Sequence, residues 1–153
     1  MREEKVKVLM AASFGGHYKQ LMRVCNLLDS EKYEFVITST NKFLSIDGKN
    51  AEYIPDLNAN EIWKVIICMP RCFYILMKYR PSYVVSTGAL PGLCMLICAK
   101  LLRKRTVWID SIANYSSLSK SGKYARRWAD LWGTQWEHLA SQDAKLTYMG
   151  KVL

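Results

Sequence analysis

Val6-Lys7-Val8-Leu9-Met10-Ala11-Ala12, then Ser13-Phe14-Gly15-Gly16-His17, then the helix-like run Tyr18 to Leu28, is the stretch that decides how this chain folds. The first seven residues form an apolar run rich in strand formers. Strand, tight Gly turn and helix together aim backbone N–H groups at an anion. Gly15 and Gly16 let the main chain approach a phosphate closely. His17 adds a group that can donate to a phosphate or take a proton near neutral pH. Read alone, the loop is explained equally well as a plain strand-to-helix turn with His17 in the first helical turn.

Outward from that unit the alternation continues. Tyr33 to Thr40 reads as a second strand, and Asn41 to Asp56 as a polar loop with a short strand near Tyr53. A long helix follows over about Asn60 to Lys78, stopped by Arg80-Pro81 because proline disfavours helix in the residue before it. Tyr83 to Thr87 is a third strand ended by Gly88, and Pro91 suits the first turn of a helix reaching about Leu102. Thr106 to Asp110 is a fourth strand and Gly122 to Leu131 a helix. Gly133 to Trp136 is a short strand, Glu137 to Ala140 a helical turn, and Lys145 to Met149 a last strand. This pattern predicts an α/β fold, one Rossmann-like domain over residues 1–153 with a mainly parallel sheet. Ligands of such sheets bind beyond the carboxyl ends of the strands. The loops Ser13 to His17, Thr87 to Gly92 and Asp110 to Tyr115 should therefore converge.

The chain has 153 residues, 50% of them hydrophobic and 12% aromatic, which excludes disorder. Its net charge of +9 points to an anionic partner: nucleic acid, a membrane surface or a phosphorylated substrate. The five cysteines are odd in number and lack CxxC spacing, against a disulfide framework and against a standard zinc site. No metal and no cofactor is expected. Cys68/Cys72 and Cys94/Cys98 are each four apart and read as buried small hydrophobes in a reducing, cytosolic compartment. No apolar leader precedes the first strand. Ile62 to Met77 is membrane-like, but Lys64, Pro70 and Arg71 interrupt it, so it reads as a buried or interfacial helix and not a span.

Several motifs are missing. GxGxxG and an acid ending the second strand are absent, which disfavours NAD; GxxxxGK[ST], GxSxG and HExxH are absent too. Ser86 to Gly92 is a second Gly loop before a helix, and two helix N-termini at one crevice would suit a diphosphate. Asp110 either orients a sugar hydroxyl or caps the next turn. His138 reads as a surface histidine. Lys120, Lys123, Arg126 and Arg127 form one basic cluster and Arg103-Lys104-Arg105 another. Singly they are solvated side chains; together they could hold an anionic bilayer at roughly 1 kcal/mol per residue. Trp63, Phe73, Tyr74 and Trp128 are candidate interfacial anchors.

In this order the motifs resemble a known family, the accessory membrane-docking subunit of the split UDP-N-acetylglucosamine transferase of dolichol-linked oligosaccharide synthesis, with bacterial relatives in capsule and exopolysaccharide assembly. Ser13 to His17 with Gln20-Leu21 looks like its Gly-Gly-His loop, and Ser86 to Gly92 like its second Gly loop. Asp110 to Ala113 and Leu118 to Lys123 look like its Glu-Ser and Leu-Ser-x-x-Gly-Lys segments. Ala129 to Leu131, Gln135-Trp136 and the ending Tyr148 to Leu153 complete a match over nearly the whole chain. The chain departs from the family in having Asp at 110, where Glu is common, and Asn114, near which a basic residue is common.

The resemblance implies the N-terminal, acceptor-binding half of a GT-B glycosyltransferase, inactive alone. A separate small subunit would supply the nucleotide sugar and dock partly on the tail Gly150, Lys151, Val152 and Leu153. One domain does not provide a two-domain cleft. The acceptor would be a lipid-linked diphospho-sugar with its diphosphate near Ser13, Gly15, Gly16, Thr87, Gly88 and Ser111. An inverting transfer needs a base; His17 is the first candidate and Asp110 the second. The location implied is cytoplasmic, peripheral at the inner face of the cytoplasmic membrane or the cytosolic face of the endoplasmic reticulum. A chain built to dock a second half can self-associate when that half is absent. Three other readings stand beside this one. A pure scaffold would recruit the partner and lack any acceptor site, and loop mutations that preserve assembly but abolish activity would rule it out. A self-sufficient UDP-sugar transferase would bind donor alone. A nucleic-acid module is supported only by charge, since no RNP motif or zinc knuckle is present.

Overall fold

A computed structural model describes residues 3–46, 48–58 and 60–152. The strands β1 (Val6–Ala12), β2 (Tyr33–Ser39), β3 (Asn50–Tyr53), β4 (Tyr83–Gly88), β5 (Arg105–Ile109), β6 (Leu131–Thr134) and β7 (Leu146–Tyr148) form one sheet in the order β3-β2-β1-β4-β5-β6-β7. Every neighbouring pair is parallel. Helices α1 (Gly16–Leu27), α2 (Val65–Tyr79), α3 (Ala89–Leu101), α4 (Lys120–Ala125) and α5 (Glu137–Ala140) make the crossovers and flanking turns.

The period of two along β1 explains why the sheet needs cover on both faces. Leu9 and Ala11 point into a core with α2 and α3, where Cys68, Cys72, Cys94, Cys98 and Trp108 also lie. Val8, Met10 and Ala12 point into the opposite core, with Leu21 and Cys25 of α1. All five cysteines are free and buried, and the Sγ atoms of Cys68 and Cys72 are 3.9 Å apart on one helix face. They fill core volume as small hydrophobes.

Several boundaries differ from the expected ones, each for a local reason. The long helix does not start at Asn60: the Glu61 N–H donates to Asn58 O (3.1 Å) and a 3-10 turn, Ile62–Lys64, precedes α2. Its stop is where Arg80-Pro81 put it, with Arg80 in the left-handed conformation and its N–H on Leu76 O. The helix expected over Gly122 to Leu131 is α4, which starts at Lys120 and ends at Ala125. Its continuation is captured by β5: Thr106 Oγ1 donates to Trp128 O (2.8 Å), and Asp130 Oδ2 accepts from Thr106 N (2.9 Å). That capture frees Leu131 to begin β6, two residues before the expected Gly133.

Glu52 pins β3 to α2. Its carboxylate accepts from Arg71 (2.7 Å), Lys78 (2.6 Å) and Tyr79 (2.7 Å). Burial works to raise its pKa, but the hydrogen bonds of Lys78 and Tyr79 and the charges of Lys78 and Arg71 outweigh it, and the net shift is downward. A lowered folded pKa contributes stability above the unfolded value, about 4.3, and loses it as pH falls through the folded one. Melting between about pH 6 and pH 3 should therefore fall less steeply in Glu52→Gln than in the parent. Parallel profiles would show that Glu52 is not a source of acid sensitivity.

Candidate functional site

The sheet reverses its order of construction between β1 and β4, so the crevice lies at the carboxyl ends of those two strands. The two Gly loops meet there. Gly15 has φ 119° and caps α1; no side chain caps that helix and no acid lies in its first turn. Its leading amides are thus uncommitted and carry the positive end of the dipole. Gly88, at φ 142°, caps α3, and a Cβ on it would stand 2.2 Å from His17 Nδ1. The imidazole therefore occupies the space that a side chain at position 88 would need.

His17 and Thr87 clasp each other across 70 residues. Thr87 Oγ1 donates to His17 O at 2.7 Å, and His17 Nδ1 is 3.1 Å from Thr87 O. A carbonyl only accepts, so this contact places the proton of the neutral ring on Nδ1 and leaves Nε2 with a free lone pair. Thr87 itself is buried, and its hydroxyl proton is spent on His17. Ser13 and Gly15 are half-buried and Gly16 is exposed at the mouth of the crevice.

Asp110 and Ser111 sit behind this mouth. Asp110 is 1% exposed. Its Oδ1 accepts from Trp108 Nε1 (3.2 Å) and Ser119 Oγ (2.6 Å), and its Oδ2 from Asn114 Nδ2 (3.1 Å) and Ser119 N (3.0 Å). The carboxylate thus holds the loop that leads to α4, where Ser119 is the N-cap. Ser111 Oγ accepts from Gln20 Nε2 (3.2 Å) and Ala113 N (3.2 Å).

The basic side chains do not gather at this crevice. Arg103-Lys104-Arg105 lead into the first residue of β5, and Arg126 and Arg127 precede β6. Both groups lie at the amino-terminal edge of the sheet, about 20 Å away along the strands. Lys120 and Lys123 on α4 descend from the crevice edge toward the others. Arg126 is paired with Asp143 at 2.8 Å. Of the four expected anchors, Trp63 and Tyr74 are exposed, whereas Phe73 and Trp128 pack against the core. His138 is exposed, as expected, with Nε2 2.7 Å from Tyr115 O. In the tail, Lys151 Nζ lies 4.8 Å from the Trp136 ring centroid and Val152 N donates to Gln135 Oε1. Leu153 lies outside the described residues.

Sequence reasoning missed two features. Gln20 and Gln135, quoted only as parts of motifs, are buried and bonded to each other at 2.9 Å. The available signal was a glutamine directly before Leu21 on the core face of a helix. The second feature is that Phe14 and Phe43 (92% exposed) join the exposed start of the membrane-like segment, Ile62, Trp63, Ile66 (77% exposed) and Ile67, in one apolar rim at the carboxyl edge. The segment and Trp63 are singled out by the sequence; the two phenylalanines are not. No helix among the described residues is long and apolar enough to cross a membrane.

An open, all-parallel sheet with two Gly loops at its switch point defines a Rossmann-like domain, the fold of one half of GT-B glycosyltransferases such as MurG. MurG of Acinetobacter baumannii superposes with a TM-score of 0.73 over 89% of this chain at 14% identity, and the chain spans 43% of that protein. The UDP-N-acetylglucosamine transferase subunit ALG14 of Candida albicans is 26% identical over 179 residues, covering all of this chain and 80% of its own length. The human subunit of the same name is 23% identical over 184 residues, covering 98% of this chain and 84% of its own. The chain belongs to the family described as oligosaccharide biosynthesis protein Alg14 like, whose model matches residues 42–152.

Proposed function

We propose that this chain is the acceptor-binding and membrane-recruiting subunit of a two-component glycosyltransferase, which moves a sugar from a UDP-sugar to a lipid-linked diphospho-sugar. The observation that carries this is the Gly-Gly-His crevice: uncapped α1 amides beside a histidine whose Nε2 is free. Its relatives are named as subunits, and the chain matches 80–84% of their length. In this reading the diphosphate rests on the Gly15-Gly16 turn and the first turn of α1. His17 Nε2 takes the proton of the attacking hydroxyl. Thr87 and Gly88 hold the ring, while Asp110 and Ser111 brace the neighbouring loop. A small partner subunit holds the UDP-sugar and docks on the tail.

The same reading gives the membrane an address. The apolar rim stands at the carboxyl edge of the sheet, as the crevice does, with Lys42 and Lys64 beside it. Trp63 and Ile66 in the interface would bring the crevice to headgroup level, where a lipid-linked diphosphate lies. The Arg103–Arg105 and Arg126–Arg127 groups face the other way and would add long-range attraction only.

The test is sugar transfer on membranes by this chain, by the small subunit and by both. Transfer only with both is expected. Transfer by this chain alone would replace the reading with a self-sufficient transferase. In the same assay Ile66→Asp should release the chain from anionic vesicles and lower transfer on membranes, with detergent-dispersed acceptor turned over as by the parent.

A further inference from the structure

Gln135 directly follows β6, with 0% of its surface exposed. Its Nε2 donates to Gln20 Oε1 (2.9 Å) and to Asp110 O (3.0 Å), and its Oε1 accepts from Val152 N (2.7 Å). Gln20 then reaches the 110–113 loop twice. Its Oε1 accepts from Ile112 N (3.4 Å) and its Nε2 donates to Ser111 Oγ (3.2 Å). Gln20 stands three residues after His17, one turn further along the same helix face. A second route runs beside the first: Lys151 lies over Trp136, whose Nε1 donates to Ile112 O at 2.8 Å.

Two amides buried in series have no rotational freedom to spare. The Val152 N–H demands an acceptor, so Gln135 must turn its oxygen to the tail and its NH2 inward. That orientation in turn requires the Gln20 oxygen to face it. Among the described residues, Val152 N is the one partner of Gln135 Oε1. Unseating the tail leaves a buried oxygen unpaired and removes what selects this orientation.

The geometry points to Gln135 as a positioning residue that ties the seating of residues 150–152 to the alignment of α1 and the 110–113 loop. This rests on the reading above, in which the tail docks the partner. A partner that clamps the tail thereby steadies the acceptor crevice, and by linkage a bound acceptor tightens the hold on the partner.

Val152→Pro in the full chain removes the N–H donor and, through its ring, also fixes φ and restricts Lys151. Val152→Ala controls for the lost valine side chain, and Gln135→Met cuts the same bond without touching the tail backbone. Amide hydrogen exchange should rise about five- to a hundredfold at Lys19, Gln20, Ile112 and Ala113, whose N–H groups are bonded, in Val152→Pro, and stay at the parent level in Val152→Ala. Gln135→Met removes all three Gln135 bonds and should raise the same amides at least as much. The double variant should add nothing to Gln135→Met, because the bond that Val152→Pro cuts is already gone there. Val152→Pro decides by itself if Gln135→Met does not fold. An increase confined to residues 146–152, or double-variant effects that multiply, overturns the proposal. With the small subunit and farnesyl diphosphate as probe, the parent should bind the subunit more tightly when the probe is present, and Val152→Pro should show no such gain. An equal gain in Val152→Pro overturns the proposal. No binding of the subunit by any chain overturns the split-transferase reading, while the exchange result on the chain alone still decides the positioning role of Gln135.

Discussion

His17→Asn, assayed with the partner subunit, should lower transfer by about a hundredfold to ten-thousandfold, or roughly 3–5 kcal/mol of transition-state stabilisation. Asparagine is the informative choice. Its amide can still donate to Thr87 O, which the His17 ring contacts at 3.1 Å, so the clasp between the two Gly loops can persist. What disappears is the lone pair on Nε2. The α1 amides remain, so acceptor affinity should change little while turnover collapses. Full turnover in His17→Asn would remove His17 as the base and leave it a brace for the Thr87 loop. A loss of affinity with turnover preserved would instead make it a phosphate ligand. His17→Ala adds the cost of the lost clasp and should be less stable than His17→Asn.

Asp110 should behave differently, although both residues were base candidates by sequence. Asp110→Ala strands four donors around a buried carboxylate site: Trp108 Nε1, Asn114 Nδ2, Ser119 N and Ser119 Oγ. Each buried donor left without a partner costs about 1–3 kcal/mol, less where water enters. A total near 3–5 kcal/mol and a fall in Tm of about 10 °C or more are expected. Asp110→Asn should also lose stability, because its NH2 must face either Asn114 Nδ2 and Ser119 N or Trp108 Nε1 and Ser119 Oγ. A chain with Asp110→Asn that melts like the parent and loses turnover would restore Asp110 as the base.

The contrast between these two residues shows how far the sequence can be read. His17 follows two glycines after a strand, and that spacing placed it at a helix N-terminus in a crevice, where it stands. Asp110 follows a strand in the same way, yet its role depends on Trp108, Asn114 and Ser119, and no spacing says which side chains close on it. The basic clusters are a harder case. Lys120 to Arg127 have near-helical spacing, but the helix ends at Ala125 because Thr106 takes the Trp128 carbonyl. Long-range bonds of that kind override local propensity.

The sequence by itself determined the parallel α/β class, the two Gly loops at one edge, the burial of the cysteines and the family. Each of these rests on a local period or on the order of motifs, which are properties of the chain as a string. The tertiary structure decided which face of the Ile62–Met77 segment is free, on which edge the basic residues lie, and that Gln20, Gln135 and Val152 are joined across 132 residues of chain (152 − 20). Those depend on crossover direction and on which buried donor finds which acceptor. Only the packed molecule settles that pairing, because an unpaired group is costly only once water has been excluded.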